Sequence, residues 1–297
     1  MQSVTFINGR HETININPHS PPYIFESITG IDSADTSIIV QSPAGMDGAI
    51  FQDLFLEDRE ITLNLHVYGC DRTELYQNKQ ELIRLLGSGY YKGGKKGRFF
   101  YENDFGRWWI PAIVRQGAKQ IGKRIKNYLP MQVVFYCPDP NFRASEATID
   151  RMAYLSGGFK FPLIIPAVNQ ENPGIKFGTS GYLLSIFNEG DQEAPIELEI
   201  TGTALTPKIE LKNTGEYIAI NQTLAANDKL SINTQPGEKK AVITRANGDI
   251  EDAMGYVDPL STWFSLRTGE NVLEYTSGDD TTNASVIVQT WSRYGGV

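Results

Sequence analysis

The chain has 297 residues, with 27 basic and 35 acidic side chains and a formal net charge of −8. This length is typical of about two domains, each large enough to bury its own core. The sequence has no stretch of about 18 apolar residues and no signal-peptide pattern at its start, so we expect no membrane insertion and a cytoplasmic site of synthesis.

The first half is predicted to contain strands and one helix. Alternation over residues 59–68 predicts a strand with one buried face. Asp71 and Glu74 match a capping box, the leucines that follow have helical spacing, and Gly87 is expected to end the helix. A single helix among strands indicates an α+β arrangement that is mainly β.

Two basic segments, residues 92–98 and 115–126, flank an aromatic strand predicted over residues 99–114. Charged loops rich in glycine cannot form a core, so we expect them to project and contact partners. The candidate contact residues are Lys95, Lys96, Arg98, Trp108, Trp109, Lys123, Arg124 and Lys126. They suit nucleic acid, through base stacking and phosphate contacts, or the acidic surface of a neighbouring copy. A sequence pI near 5.0 favours the protein partner.

The sequence Tyr-Cys-Pro-Asp-Pro-Asn-Phe at residues 136–142 marks a domain boundary. Its prolines cannot continue the alternating strand before them, since proline has a fixed φ and no backbone donor. Residues 1–143 carry 16 basic and 15 acidic side chains, whereas residues 144–297 carry 11 and 20. We therefore predict domains over residues 1–143 and 144–297, the second of them strongly acidic.

The second domain is predicted to be a β-sandwich. Short apolar stretches separated by Asn, Asp and Gly indicate about eight or nine strands, including strands over residues 196–205 and 263–266. Asn247-Gly248 is a hairpin signal. Residues 156–181, rich in Gly and Pro, are expected to form a linker or an arm that reaches a neighbour. Residues 295–297 are expected to be a loose end.

No residue pattern makes a positive case for an enzyme, a metal site or a cofactor. Residues 89–96 resemble a phosphate-binding loop, but Lys96 replaces the Ser or Thr that holds magnesium, and the segment follows a helix rather than a strand. The histidines and cysteines are scattered, and Cys70 and Cys137 are expected to be free thiols. Glu197 and Glu199 share a strand face as a glycosidase pair would, but a solvated acidic face is the favoured interpretation.

Aromatic residues of the second domain suggest an alternative function. Trp263 and Trp291 are candidates for stacking on sugars, which would make this domain a carbohydrate-binding module that contacts a host surface polysaccharide. The favoured interpretation is that both tryptophans belong to the core of the sandwich.

Several segments, taken in chain order, resemble the distal tail proteins of bacteriophages with long, non-contractile tails. They are REITL at residues 59–63 with Gly69, the single helix, the strand end at residues 136–142, and the terminal sandwich. Within the sandwich the resemblance is carried by NTGEYI at residues 213–218, LSINT at residues 230–234 and WFSLRTGEN at residues 263–271. These segments are strands and turns without catalytic groups, and they span essentially the whole chain.

This resemblance implies a structural virion protein without catalysis. It implies an N-terminal domain that assembles as a homo-hexameric ring and a C-terminal galectin-like sandwich displayed outside the ring. The implied partners are further copies of the chain, the tail tube protein, the tail-tip protein, and a receptor-binding protein or host glycan. DNA would pass through the ring without specific binding, and the implied location is the virion tail tip, after assembly in the host cytoplasm.

Overall fold

A computed structural model of the chain describes residues 2–45, 47–87, 95–154, 182–278 and 284–297. The chain forms two compact units: unit 1 comprises Met1–Glu146 and Arg293–Val297, and unit 2 comprises Ala147–Ser292. The first boundary lies close to the expected one after residue 143, but residues 293–297 are part of unit 1 and not a loose end. They are held there because Arg293 and Tyr294 pair with a strand of unit 1 and Val297 packs against its core.

Unit 1 is built from antiparallel strands and one helix. The helix is α1 (Arg72–Leu85), and the strands are β1 (Ser3–Ile7), β2 (Thr13–Ile16), β3 (Tyr23–Thr29), β4 (Thr36–Gln41), β5 (Ile50–Leu56), β6 (Arg59–Tyr68), β7 (Gly97–Glu102), β8 (Arg107–Gln120), β9 (Tyr128–Cys137) and β10 (Phe142–Ala144).

The main sheet of unit 1 curls until its two edges meet. Its strand order is β2-β1-β7-β8-β9-β6-β3. Directly after β2, Asn17 forms a bridge with Ile24 of β3, and the Phe25 N–H donates to the Asn17 carbonyl at 3.0 Å. The predicted strand over residues 59–68 is confirmed as β6, whose alternate apolar residues are fully buried in the interior of this curled sheet.

The predicted helix is present, with the predicted cap. The Asp71 carboxylate accepts the Glu74 N–H at 2.8 Å, and the Glu74 carboxylate accepts the Cys70 N–H at 2.7 Å. Leu75 and Leu82 are buried, and α1 packs against β6 and β8. No helix in the described part of the chain is long and apolar enough to cross a membrane.

The aromatic strand predicted over residues 99–114 is in fact a hairpin of two strands, β7 and β8. The Asn103 side chain accepts the N–H groups of Phe105 and Gly106 at 2.8 and 3.1 Å, which stabilises a reversal that the aromatic pattern does not reveal. Strand β8 then continues to Gln120 through irregular pairing with β9. The first half of the basic segment 115–126 is therefore strand, and its second half, after Gln120, forms a turn.

Unit 2 is a β-sandwich, as predicted. Its strands are β11 (Thr148–Arg151), β12 (Ala153–Tyr154), β13 (Tyr182–Asn188), β14 (Ile196–Thr201), β15 (Ala204–Leu205), β16 (Lys208–Leu211), β17 (Glu216–Ala219), β18 (Thr223–Leu224), β19 (Lys229–Asn233), β20 (Lys240–Thr244), β21 (Ile250–Asp252), β22 (Gly269–Thr276) and β23 (Ser285–Thr290), and β24 (Arg293–Tyr294) follows in unit 1. The sheets β11-β23-β14-β19-β20-β21 and β12-β13-β22-β16-β17 share one apolar core.

Two predicted strands of unit 2 differ in the structure. Residues 263–266 form no strand: Phe264 and Leu266 are buried, but the backbone makes only a single bridge, between Leu266 and Ala194. The strand expected over residues 196–205 is interrupted at Gly202, which has a φ of +111° that favours glycine. The segment 156–181, expected to be a linker or an arm, lies outside the described residues.

Candidate interaction surfaces

A hairpin of unit 1 exposes apolar side chains from both of its strands. Strands β4 and β5 pair with each other and with no other strand that the structure describes. An isolated two-stranded hairpin is at best marginally stable in water. We call this hairpin the arm; its exposed large apolar residues are Ile38, Ile39, Val40, Ile50, Phe51, Leu54 and Phe55.

A β-bulge gives the arm one predominantly apolar face. Ile38 pairs with Leu54, and Val40 pairs with Phe51. Gln52, which lies between these pairs on β5, is an extra residue without a counterpart on β4. Side chains alternate between the two faces of a sheet, and the bulge shifts this alternation by one residue, so all four apolar residues lie on one face. These four side chains are 47–62% exposed, so the face is open to a partner.

The turn between β8 and β9 presents a basic surface. Ile125 and Tyr128 exchange two backbone hydrogen bonds of 2.9 Å, and Lys126 adopts a φ of +50° in the tight turn between them. The Asn127 amide donates to the Cys70 carbonyl at 3.0 Å, which ties the turn to the residues before α1. We call residues 119–128 the basic turn; its exposed residues include Ile121, Lys123, Arg124, Ile125, Lys126 and Tyr128.

The other basic candidates lie apart from this turn. Arg98 is in β7, opposite Pro111 in the first half of β8. Lys95 and Lys96 come just before β7. All three are exposed. The second half of β8 separates them from the basic turn, so the two predicted basic segments form two surfaces. Residues 92–94 of the first segment lie outside the described part of the chain.

Trp108 and Trp109 differ from the expectation of exposed aromatic faces, because both are buried within the single chain. The Trp109 ring lies between two guanidinium groups, with Arg98 Cζ 5.3 Å and Arg143 Cζ 4.7 Å from its centroid. Trp108 stacks on Phe105 at 6.0 Å. The continuous apolar run at the start of β8 is typical of a strand covered on both faces, and this was the signal that could have indicated burial.

Residues 293–297, which we call the returning segment, are fixed to unit 1 by buried arginines. Arg293 pairs with Asp139 at 2.5 Å, and the Val297 N–H donates to the Ile31 carbonyl at 3.1 Å. The Arg59 guanidinium donates to the Gly295 carbonyl and to three further backbone carbonyls, those of Gly30, Asp32 and Pro140. Sequence reasoning missed this cluster, since its members come from four distant parts of the chain.

The proposed sugar-stacking residues of unit 2 are both half-buried. Trp263 packs against the core of the sandwich, and Trp291 follows β23 directly. Glu197 accepts a hydrogen bond from the Asn233 amide at 3.1 Å, and Glu199 pairs with Lys229 at 2.6 Å. Such pairing is typical of a solvated sheet face.

Two family models match the chain. The model of the phage tail protein RIFT-related domain matches residues 7–164, which is more than half of the chain. The model of the siphovirus-type tail component, C-terminal domain, matches residues 189–290. No curated protein sequence matches the chain.

Solved structures of phage tail components share the fold along almost the whole chain. The crystal structure of SPP1 Dit (gp 19.1), described as a paradigm of the hub adsorption apparatus in phages that infect Gram-positive bacteria, has a TM-score of 0.65 at 13% identity and covers 98% of each chain. The phage P2 baseplate in its activated conformation gives TM-scores of 0.53 with Ca and 0.54 with Sr, at 10% and 11% identity, covering 97% of this chain and 98% of each matched chain. The family matches and the shared fold lead to one conclusion: the chain belongs to the siphovirus-type phage tail protein family, as a distal tail protein.

Proposed function

We propose that this distal tail protein is a hub, a ring of six copies that joins the tail tube to the tail-tip and receptor-binding components. DNA passes through the ring without specific binding, and the protein acts without catalysis at the virion tail tip, after assembly in the host cytoplasm. The shared fold with SPP1 Dit, itself described as a hub, supports this proposal. The number six comes from the family resemblance.

The observation that carries self-assembly is the arm. The four apolar side chains on one face of the arm, Ile38, Val40, Phe51 and Leu54, remain about half exposed in the single chain. Covering the exposed half of each side chain contributes about 1 kcal/mol, hence about 4 kcal/mol for one arm. If each arm meets a different surface of the next copy, the contact is heterologous and forms a ring when the rotation closes.

The test is the mass of the purified full-length chain in solution, measured by light scattering and combined with negative-stain images. Six copies of the 33.1 kDa chain give a ring of about 199 kDa. Replacing Ile38 and Phe51 together by Asn is expected to return the ring to monomers, because polar side chains remove most of the apolar contact.

Ile250→Asn is the matched control, since Ile250 is a strand residue of unit 2 and is 78% exposed. This variant is expected to keep the ring. A native chain that remains monomeric even when mixed with the tail tube and tail-tip proteins of its own phage contradicts the proposed function. A ring that survives the arm substitutions shows that the arm does not carry assembly.

A further inference from the structure

The arm and the basic turn carry opposite charges. Residues 35–45 and 47–58 hold five acidic side chains and no basic one, whereas residues 119–128 hold four basic side chains and no acidic one. The acidic residues are Asp35, Asp47, Asp53, Glu57 and Asp58, and all are exposed. Surfaces of opposite charge attract each other during encounter and fix the register of the complex.

The two surfaces also match in apolar character. On the arm, the bulge places apolar side chains on one face, with Asp53 on the opposite face. On the basic turn, Ile121, Ile125 and Tyr128 are 50%, 63% and 40% exposed beside the basic side chains. An apolar centre with charges around it is the usual composition of a protein interface. A nucleic acid would satisfy the basic charges of the turn and leave its isoleucines uncovered.

Within one chain, the two surfaces do not cover each other. Every residue of β4 is exposed, and so are Ile121, Lys123, Arg124, Ile125 and Lys126. Both surfaces belong to unit 1, and neither covers the other in the single chain. Their complementarity is therefore available to a second copy of the chain.

We propose that the arm of one copy docks on the basic turn of the next copy. The apolar face of the arm covers Ile125 and Tyr128, while the acidic side chains of the arm pair with Lys123, Arg124 and Lys126. The contact joins two different surfaces, so each copy donates one arm and receives one, as a closed ring requires. This inference rests on the proposed ring and names the surfaces that build it.

Cross-linking between two single-site variants tests the docking. One chain carries Leu54→Cys and the other carries Ile125→Cys, both in a Cys70→Ser background, because Cys70 is exposed whereas Cys137 is buried. Mixing the two full-length chains under mild oxidation is expected to give a covalent dimer that contains one copy of each. Either chain alone is expected to give none, since an arm does not meet an arm and a turn does not meet a turn.

The outcomes separate this inference from the proposed function. A ring in which the mixed pair does not cross-link leaves the hub in place and overturns the docking. Mixed cross-links in open chains or filaments support the docking and contradict the closed ring. Cross-linking of either variant with itself overturns the docking, because the contact would then be symmetric. A chain with neither ring nor cross-link, even when mixed with the tail tube and tail-tip proteins of its own phage, overturns both.

Charge reversal provides an independent readout. Lys123→Glu with Arg124→Glu is expected to weaken association at least about tenfold, and adding Asp47→Lys in the same chain is expected to restore part of it. The matched control is Lys239→Glu with Lys240→Glu, which changes the charge equally on exposed lysines of unit 2. Failure of the arm substitution to restore association, or equal weakening by the control, overturns the proposed pairing.

Discussion

Replacing Arg59 by Met is expected to destabilise unit 1 selectively. Arg59 is 4% exposed, and its guanidinium donates to the backbone carbonyls of Gly30, Asp32, Pro140 and Gly295. Burial lowers the pKa of Arg59, which reflects the cost of placing its charge away from water. Met fills a similar volume but donates no hydrogen bond, so these carbonyls lose their partner.

The magnitude follows from these contacts. A hydrogen bond from a charged group contributes about 1.5–3 kcal/mol, so four such bonds contribute about 6–12 kcal/mol before burial is considered. Desolvation of a buried charge offsets several kcal/mol of this sum. We therefore expect Arg59→Met to lower the free energy of unfolding of unit 1 by about 3–5 kcal/mol.

Hydrogen exchange measured by mass spectrometry resolves the effect by unit. Peptides from residues 23–34 and 293–297 are expected to lose protection in Arg59→Met, and peptides of unit 2 are expected to keep theirs. Arg115→Met is the control, because Arg115 is exposed and makes a surface ion pair with Glu60, worth at most about 1 kcal/mol. A loss below about 1 kcal/mol in Arg59→Met, or an equal loss in unit 2, would refute this reasoning.

Two further changes have sharp expected outcomes. Gly30→Ala places a Cβ 2.0 Å from the Glu60 carbonyl oxygen at a φ of +86°, so we expect a loss of at least about 3 kcal/mol in denaturant titrations. Gly45→Ala, at a φ of +82° with nothing within 4 Å, is expected to cost only about 1 kcal/mol, and equal losses would contradict the role of the clash. Burial raises the pKa of the Cys137 thiol to about 12, so iodoacetamide at pH 8 is expected to modify only Cys70 in the native chain, by mass spectrometry, and both cysteines in denaturant. Rapid native modification of Cys137 would show that the core around it opens.

Local patterns predicted the elements that depend on local chemistry. The alternation of β6 and the Asp71–Glu74 pair of α1 are present as expected, because periodicity and capping act over a few residues. The prolines that follow β9 likewise end a strand at the predicted place. Exposure of Lys123 and Lys126 also followed from a local feature, their position in a charged segment without apolar alternation.

The surroundings of a side chain depend on distant segments of the chain, and local sequence patterns did not predict them. Trp109 looks available in the sequence, but Arg98 and Arg143 come from two other strands to cover its ring. The reverse holds for the arm, where Ile38 and Phe51 have the composition of core strands and yet remain exposed. The sequence of an apolar strand does not show whether the strand is covered by its own chain or by another copy. Exposure of such residues in one chain is what the proposed contact between copies requires.

The returning segment has a consequence for the timing of biosynthesis. Residues 1–146 emerge from the ribosome first, and the Gly295 carbonyl that accepts from Arg59 follows only after unit 2 has been translated. At about 5–20 residues per second, this delay lasts about 7–30 s. During that interval unit 1 lacks β24 and part of the acceptor set of Arg59. Unit 1 can therefore reach its complete strand pairing only after translation has passed the returning segment.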